Sequence, residues 1–301
     1  VDRLLYAQLA AIDRDRHSGA AELALRAADA LAAWQARHKP AARADLLEAA
    51  RLLCHTQSMM APLRRLANEA ALAAEAGNPG AALTASLGRF RRLVAQGPRN
   101  IAGRFRRALG PRRKRIIVTY SYSSTVLRAL IAARDRIQEV HCSEASPERE
   151  GIALAQKLAR AGVRTCLTTD TYLPRVFTGA TRRLLVVGAD QVRERDFVNR
   201  QGTEALLREA RRAGQACWVL ADTSKFAPRR GLLLGDATAG WEESLLARPE
   251  KNLRAFRVVL SACPLEPGVR VLTERGWMTA GRVRREVTRI AVSPRLRELL
   301  G

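Results

Sequence analysis

Four polar clusters in this chain each follow a short apolar run: TYSYSS (119–124), SEASPEREG (143–151), GADQVRERDFVNRQGT (188–203) and ADTSKFAP (221–228). Asp190 stands just past one such run, where a carboxylate can orient or exchange a substrate proton. Arg200 offers a planar fork of donors suited to a phosphate. Gly202 and Thr203 open a helical pattern, so backbone N–H groups there, together with the Thr203 hydroxyl, make an anion site. Lys225 adds a cation in the last cluster. Ser121 lies in the middle of the first. A serine hydroxyl needs a base to react, and no histidine lies within that turn to supply one. Structural roles compete with these readings: a cap for Asp190, an Asx turn for Asn199, and helix caps for the turn serines, Ser123 among them.

The apolar runs RIIVTY, QEVHCS, VRTCLTT, RLLVVGAD and ACWVLAD read as strands, with helical patterns at 123–136, 147–161, about 171–179 and 202–213. Gly162 and Gly214 fall where helix C-termini need a left-handed residue. Short strands alternating with helices predict a parallel sheet covered on both faces. In such a sheet a ligand binds beyond the carboxyl ends of the strands. Ser121, Asp190, Asn199, Arg200 and Lys225 are therefore expected to converge on one crevice.

Residues 1–110 read as helices throughout. Ser18 is expected to cap a helix with Glu22 in its first turn, and Pro40 to sit in the first turn of the next. Gly77 and Gly97 are expected to close the two helices after that. A boundary is placed at GPRRKR (110–115), where composition and periodicity change. The fold expected is α/β, with an N-terminal helical domain over 1–110 and a ligand-binding parallel-sheet domain over 111–301.

The formal charge is +23, and only five of the cations are Lys. Such a bias toward Arg, with abundant Ala, also arises from base composition alone. The segment 89–115 carries eleven Arg or Lys and no acid, so contact with nucleic acid or phosphate through it is one reading. A solvated helix face followed by a basic connection is the other. Only Phe90 and Phe105 could stack on bases there. No apolar run approaches the roughly 18 residues of a membrane span, and the charged N-terminal stretch is unlike a signal peptide. Five scattered cysteines without a CxxC pair point to reduced thiols, and four histidines without ligand spacing speak against a metal. A cytoplasmic protein without a metal or cofactor is expected.

In order, TYSYSSTVL, SEASPEREG, VVGADQVRERDFVNRQGT and ADTSKF resemble the T-H-x-x-S, T-E-x-R-P, G-A-D, N-K-x-G-T and E-x-x-K-F segments of the initiation factor 2B alpha/beta/delta family. That family also contains ribose-1,5-bisphosphate isomerase and methylthioribose-1-phosphate isomerase. VLTERGWMTAGRV (271–283), DRHSGAAEL (15–23) and MAPLRRL (60–66) extend the resemblance over most of the chain. It implies a helical domain followed by a Rossmann-like domain, paired as a homodimer through the latter.

The departures bear on function. In the isomerases a Cys in the first turn and the Asp of G-A-D are the catalytic pair. Ser121 falls at the Cys position, while Asp190 is kept. The R-G-A segment becomes Ser18–Gly19–Ala20. The arginines before M-A-P-L and in T-E-x-R-P fall near Gln57 and on Ser146. Asn199–Arg200, Gly202–Thr203 and Lys225 retain the anion-holding residues, with Tyr122 and Ser123 flanking Ser121. The resemblance thus implies a protein that holds a phosphorylated sugar or nucleotide and does not isomerise it. The alternatives are an aldose-phosphate to ketose-phosphate isomerase, and a basic protein that binds RNA or a translation partner.

Overall fold

The computed structural model describes residues 1–15, 19–38, 42–57, 60–179, 182–228, 239–240, 252 and 257–300. Five helices come first: α1 (Arg3–Arg14), α2 (Ala20–Arg37), α3 (Arg43–His55), α4 (Ala61–Ala74) and α5 (Pro79–Leu109). Asp2 and Asn78 cap α1 and α5 through their side chains, each accepting a backbone N–H. Alanines at helical spacing let the bundle pack closely: Ala24, Ala27, Ala28, Ala49, Ala50, Ala67, Ala70 and Ala71 are all fully buried around Leu31, Trp34 and Leu53.

Three details of this half differ from the sequence reading. The N-cap of α2 is Gly19, which has no side chain to cap with, and Ser18 lies outside the described residues. Helix α3 begins at Arg43, after the position expected for Pro40, which is also outside them. Most notably, α5 does not stop at Gly97: it runs for 31 residues through Gly97–Pro98. The reason is tertiary. A Cβ on Gly97 would stand 2.9 Å from the Cβ of Asp222, so this glycine serves a close approach between helix and sheet edge rather than a helix end.

After α5 the chain alternates: β1 (Arg115–Val118), α6 (Ser124–Ala132), β2 (Ile137–Ser143), α7 (Glu150–Arg160), β3 (Thr165–Thr168), β4 (Arg183–Val187), β5 (Gln191–Val192), β6 (Asp196–Arg200), α8 (Thr203–Arg212) and β7 (Ala216–Leu220). Short 3-10 turns occupy Leu173–Phe177 and Thr223–Lys225. A two-residue pair, β8 (Ala239–Gly240) with β9 (Arg257–Val258), precedes β10 (Leu260–Pro264), β11 (Val269–Thr273), β12 (Gly276–Met278), α9 (Ala280–Thr288) and α10 (Pro294–Leu300). The main sheet has seven strands in the order β12-β11-β7-β4-β1-β2-β3. All neighbours are parallel except β12, which runs antiparallel to β11. The five strands read from sequence are all in it; β11 and β12 join them at one edge. Gly162 and Gly214 follow α7 and α8 with φ of +75° and +65°.

Alternation along the strands sorts side chains to two faces. Ile117, Leu184 and Val186 pack with Phe105, Leu130 and Leu154 of α5, α6 and α7. Val118, Leu185 and Val187 pack with Phe177, Leu206 and Val283 on the other face. The two packed regions interlock. The C-terminal half of α5 (Ile101, Ala102, Phe105, Leu109) belongs to the sheet, whereas Leu296 of α10 belongs to the helical bundle. Buried Asn68 fixes that return, donating to the Ala291 carbonyl (2.9 Å) and accepting from the Ser293 N–H (3.0 Å). No described helix is long and apolar enough to cross a membrane.

Candidate functional site

Because the central strands are parallel, the segments leaving β1, β2, β4 and β7 all emerge at one edge. Ser121, in the turn after β1, has φ +65°, a left-handed conformation that a residue with a Cβ seldom takes. It is buried, and its Oγ donates to Glu150 Oε1 (2.5 Å). Glu150 is the first residue of α7, where the positive end of the helix dipole favours a carboxylate. The next residue must be glycine, since a Cβ on Gly151 would lie 1.9 Å from the Ser143 carbonyl oxygen. That contact seats the start of α7 directly on the end of β2.

Arg200, at the end of β6, meets the same carboxylate fork to fork: Nε to Oε1 at 2.7 Å and Nη2 to Oε2 at 2.9 Å. Its third nitrogen is 3.5 Å from Glu148. Ser121, Glu148, Glu150 and Arg200 thus form one network drawn from three separate segments.

Asp190 follows β4 and donates its backbone N–H to the Val198 carbonyl (2.8 Å). Burial pushes its carboxyl above the usual carboxylate range; nearby Lys225 and Arg200 pull it back, and Glu150 pushes it further up. Lys225 reaches back to the tip of β4, donating to the Ala189 carbonyl (2.6 Å). Asn199 donates to Thr203 Oγ1 (3.1 Å), and that hydroxyl donates to the Arg200 carbonyl (2.7 Å). Gly202, with φ +102°, turns the chain into α8. Burial pushes the Tyr120 phenol up to about 12, so it stays neutral beside this network.

In front of the network lies a crevice of about 650 Å³ between the helical bundle and the sheet edge. Gly19, Glu22 and Leu25 of the α2 end and Val94, Ala95 and Pro98 of α5 form one side; Tyr122, Arg128, Lys157, Glu148, Glu150 and Arg200 form the other. Of the residues expected from sequence, Gly19, Tyr122 and Arg200 line it, and Ala20 opens α2 beside it. Ser121, Asp190, Asn199, Gly202, Thr203 and Lys225 gather at the same sheet edge without lining the crevice. Ser123 Oγ accepts from the Val126 N–H (3.3 Å) as the cap of α6.

Sequence reasoning missed Glu150, Glu148, Glu22, Arg128 and Lys157. The signal for Glu150 was an acid opening a helix at the end of a polar cluster; Arg128 and Lys157 looked like ordinary surface positions. Lys157 donates to the Tyr122 hydroxyl (2.8 Å) and lies 4.7 Å from the centroid of its ring. Two residues at lost-arginine positions are committed elsewhere. Gln57 Nε2 donates to the carbonyls of Asp13 (2.9 Å) and Asp15 (2.8 Å) at the end of α1. The Ser146 N–H donates to Asp170 Oδ2 (2.8 Å). None of the described arginines of 89–115 lines the crevice; Arg91 pairs with Asp29, and Arg104 donates to the Glu274 carbonyl (3.1 Å).

The comparison with known families agrees with this layout: the model of the initiation factor 2 subunit family matches residues 16–234. The chain belongs to the initiation factor 2 subunit family. A translation initiation factor eIF-2B subunit 2-like protein of Pyrococcus abyssi is 35% identical over 116 residues, which cover 38% of this chain and 41% of the relative. The chain spans about half the length of the curated relatives it matches.

The solved translation initiation factor eIF-2B of Pyrococcus horikoshii OT3 superposes with a TM-score of 0.74 at 23% identity, covering 93% of this chain and 98% of that one. The 5-methylthioribose 1-phosphate isomerase of the same organism superposes at 0.66 and 16% identity, covering 95% and 88%. These are likenesses of fold. A fold shared by an initiation factor and an isomerase leaves the function of an initiation factor 2 subunit family member to its site residues.

Proposed function

We propose that this member of the initiation factor 2 subunit family is a ligand-binding protein of the 2B type, holding a phosphorylated sugar or nucleotide in the crevice without isomerising it. In this reading residues 1–110 and 111–301 act as helical and ligand-binding domains of a cytoplasmic protein, paired as a homodimer through the second.

The observation that carries the proposal is the hydrogen bond from Ser121 to Glu150. Converting an aldose phosphate to a ketose phosphate moves a proton between neighbouring carbons. A group that accepts and returns it should titrate near neutrality. A thiol can be tuned into that range, whereas a serine hydroxyl cannot, and this one is held as a donor to a carboxylate. Cys142, Cys217 and Cys263 are buried, with thiols pushed up to about 12, 11 and 12, and none of the five cysteines lines the crevice.

A second reading, the isomerase, draws support from Asp190, because a carboxyl raised by burial is suited to acid–base work.

Turnover separates the two. No isomerisation of ribose 1,5-bisphosphate or methylthioribose 1-phosphate is expected, and at most weak activity in Ser121→Cys. The same sugar phosphates and AMP should raise the melting temperature; a ligand at a hundred times its Kd adds about 2.7 kcal/mol. Robust turnover that is lost in Asp190→Asn would establish the isomerase instead.

A further inference from the structure

We infer that the exposed face of α5 is a docking surface for double-stranded RNA, which it holds by the phosphate backbone. This goes beyond the ligand-binding function and does not depend on it: none of the residues of this face lines the crevice.

Between Glu75 and Asp135 the chain has no acidic residue. Within that stretch α5 turns its apolar residues inward, with Leu87, Phe90 and Val94 in the helical bundle and Ile101, Ala102 and Phe105 against the sheet. At 3.6 residues per turn, Arg89, Arg92, Gln96, Arg99, Asn100 and Arg107 fall within about 100° of arc on the opposite side. All six are exposed. The four arginines extend over about 27 Å of helix at 1.5 Å per residue, and exposed Arg112, Arg113 and Lys114 follow them. The acids that bond to α5 from other elements are met by arginines outside this stripe: Asp29 by Arg91, Asp135 by Arg106 and Glu69 by Arg65. Arg92, Arg99 and Arg107 have no ion-pair partner among the described residues, and Arg89 donates to Ser86 Oγ (2.9 Å).

The stripe carries charge and hydrogen-bonding groups without an apolar anchor. A protein partner needs a desolvated centre of aromatic or aliphatic side chains. A membrane surface needs an apolar face to insert, and that of α5 is buried in the molecule. Single strands are held by stacking their bases on aromatic rings, and the stripe has none. A duplex backbone needs neither: it presents phosphates densely, and arginines contact them whatever the sequence. Gln96 and Asn100, midway along the stripe, supply amide donors and acceptors for the 2′-hydroxyls displayed in the wide minor groove of RNA, which DNA lacks. Approach can be close, because Gly88 and Gly103 stand one turn before Arg92 and Arg107. Each guanidinium folds back beside its glycine, with Nη1 at 3.7 and 3.8 Å from where a Cβ would stand.

The test is an anisotropy titration of the full chain with a labelled RNA duplex two helical turns long. Binding that weakens steeply with salt is expected. Arg92→Gln, Arg99→Gln and Arg107→Gln should each weaken it several-fold and lower the salt slope by about 1, and the triple variant should lose at least tenfold. Helix α9, on the opposite face of the sheet, is the control. Its Arg284, Arg285 and Arg289 are also exposed, without ion-pair partners among the described residues. Changing these three to Gln removes the same charge and should cost less than threefold. Melting curves should be unchanged in both triple variants, since all six side chains are exposed. A DNA duplex of the same sequence should bind at least fivefold more weakly than RNA, and Gln96→Ala with Asn100→Ala should abolish that difference.

Equal losses from the α5 and α9 triple variants would reduce the binding to net charge and overturn the inference. So would a DNA duplex, a single strand or polyglutamate binding as tightly as the RNA duplex, or no RNA binding at low salt.

Discussion

The two edges of the main sheet use the same residue types to different ends. At the amino edge, Arg106 donates to the Ala132 carbonyl (3.0 Å) and pairs with exposed Asp135, while Arg136 donates to the Arg106 carbonyl (2.5 Å). These contacts tie the end of α5 to the end of α6, and the Arg106–Asp135 pair among them is open to solvent. At the carboxyl edge, Arg200, Glu150, Ser121, Asp190 and Lys225 are mostly withdrawn from water. One of them holds a left-handed backbone and another a raised pKa. Exposed ion pairs are screened and nearly neutral, whereas the same chemistry out of water is costly unless every partner is present. The carboxyl edge is therefore where the fold has placed strain and charge beside a crevice, as a binding site requires.

Substitutions at the two edges should differ accordingly. The largest effect is expected from Arg200→Ala, which leaves Glu150 without the guanidinium that meets both of its oxygens. A loss of about 3 kcal/mol in urea unfolding is expected, partly recovered by adding Glu150→Gln. A loss under about 0.5 kcal/mol, in the range of surface pairs, would erase the contrast between the edges.

Gly97→Ala tests the seat of α5 on the same edge. Its Cβ would meet the Cβ of Asp222 at 2.9 Å, so the helix must shift, at a cost of about 1–2 kcal/mol despite alanine's better helix propensity. A gain in stability would mean that the helix and the carboxyl edge are not held in this contact.

Asp190 gives a pH-dependent test. Its folded pKa lies above its unfolded value, so burying the charged form costs stability at neutral pH. That cost falls away as the pH drops through the folded pKa toward the ordinary value of about 3.9. Asp190→Asn should then melt above the wild type near pH 7, with the advantage shrinking toward pH 4. A variant that melts lower at pH 7 would show that attraction to Lys225 and Arg200 outweighs burial. The smallest effect belongs to the amino edge: Arg106→Ala should leave the urea midpoint nearly unchanged. A marked drop there would mean that exposed pairs are holding the two layers together.

Much of this molecule was determined locally, and so was legible. Five strands stood out because strands buried on both faces are short continuous apolar runs, and α7 and α8 ended at glycines because only glycine takes the left-handed turn cheaply. Their alternation with helices fixed the parallel sheet, and a parallel sheet sends its loops to one edge; that is why Ser121, Asp190, Arg200 and Lys225 could be grouped from their positions alone. What tertiary structure decided lay in partners distant along the chain. Gly97 looked like a helix end until Asp222 was found against it, 125 positions later in the chain. Arg200 read as a free phosphate fork until Glu150, fifty residues earlier, was found to fill it. Arg128 and Lys157 carried no signal, because an exposed cation on an amphipathic helix looks the same over solvent as over a crevice. Periodicity and turn chemistry depend on neighbours in sequence, so they can be read in one dimension. The saturation of a donor and the polarity of a cavity depend on neighbours in space, and only the packed fold assigns those.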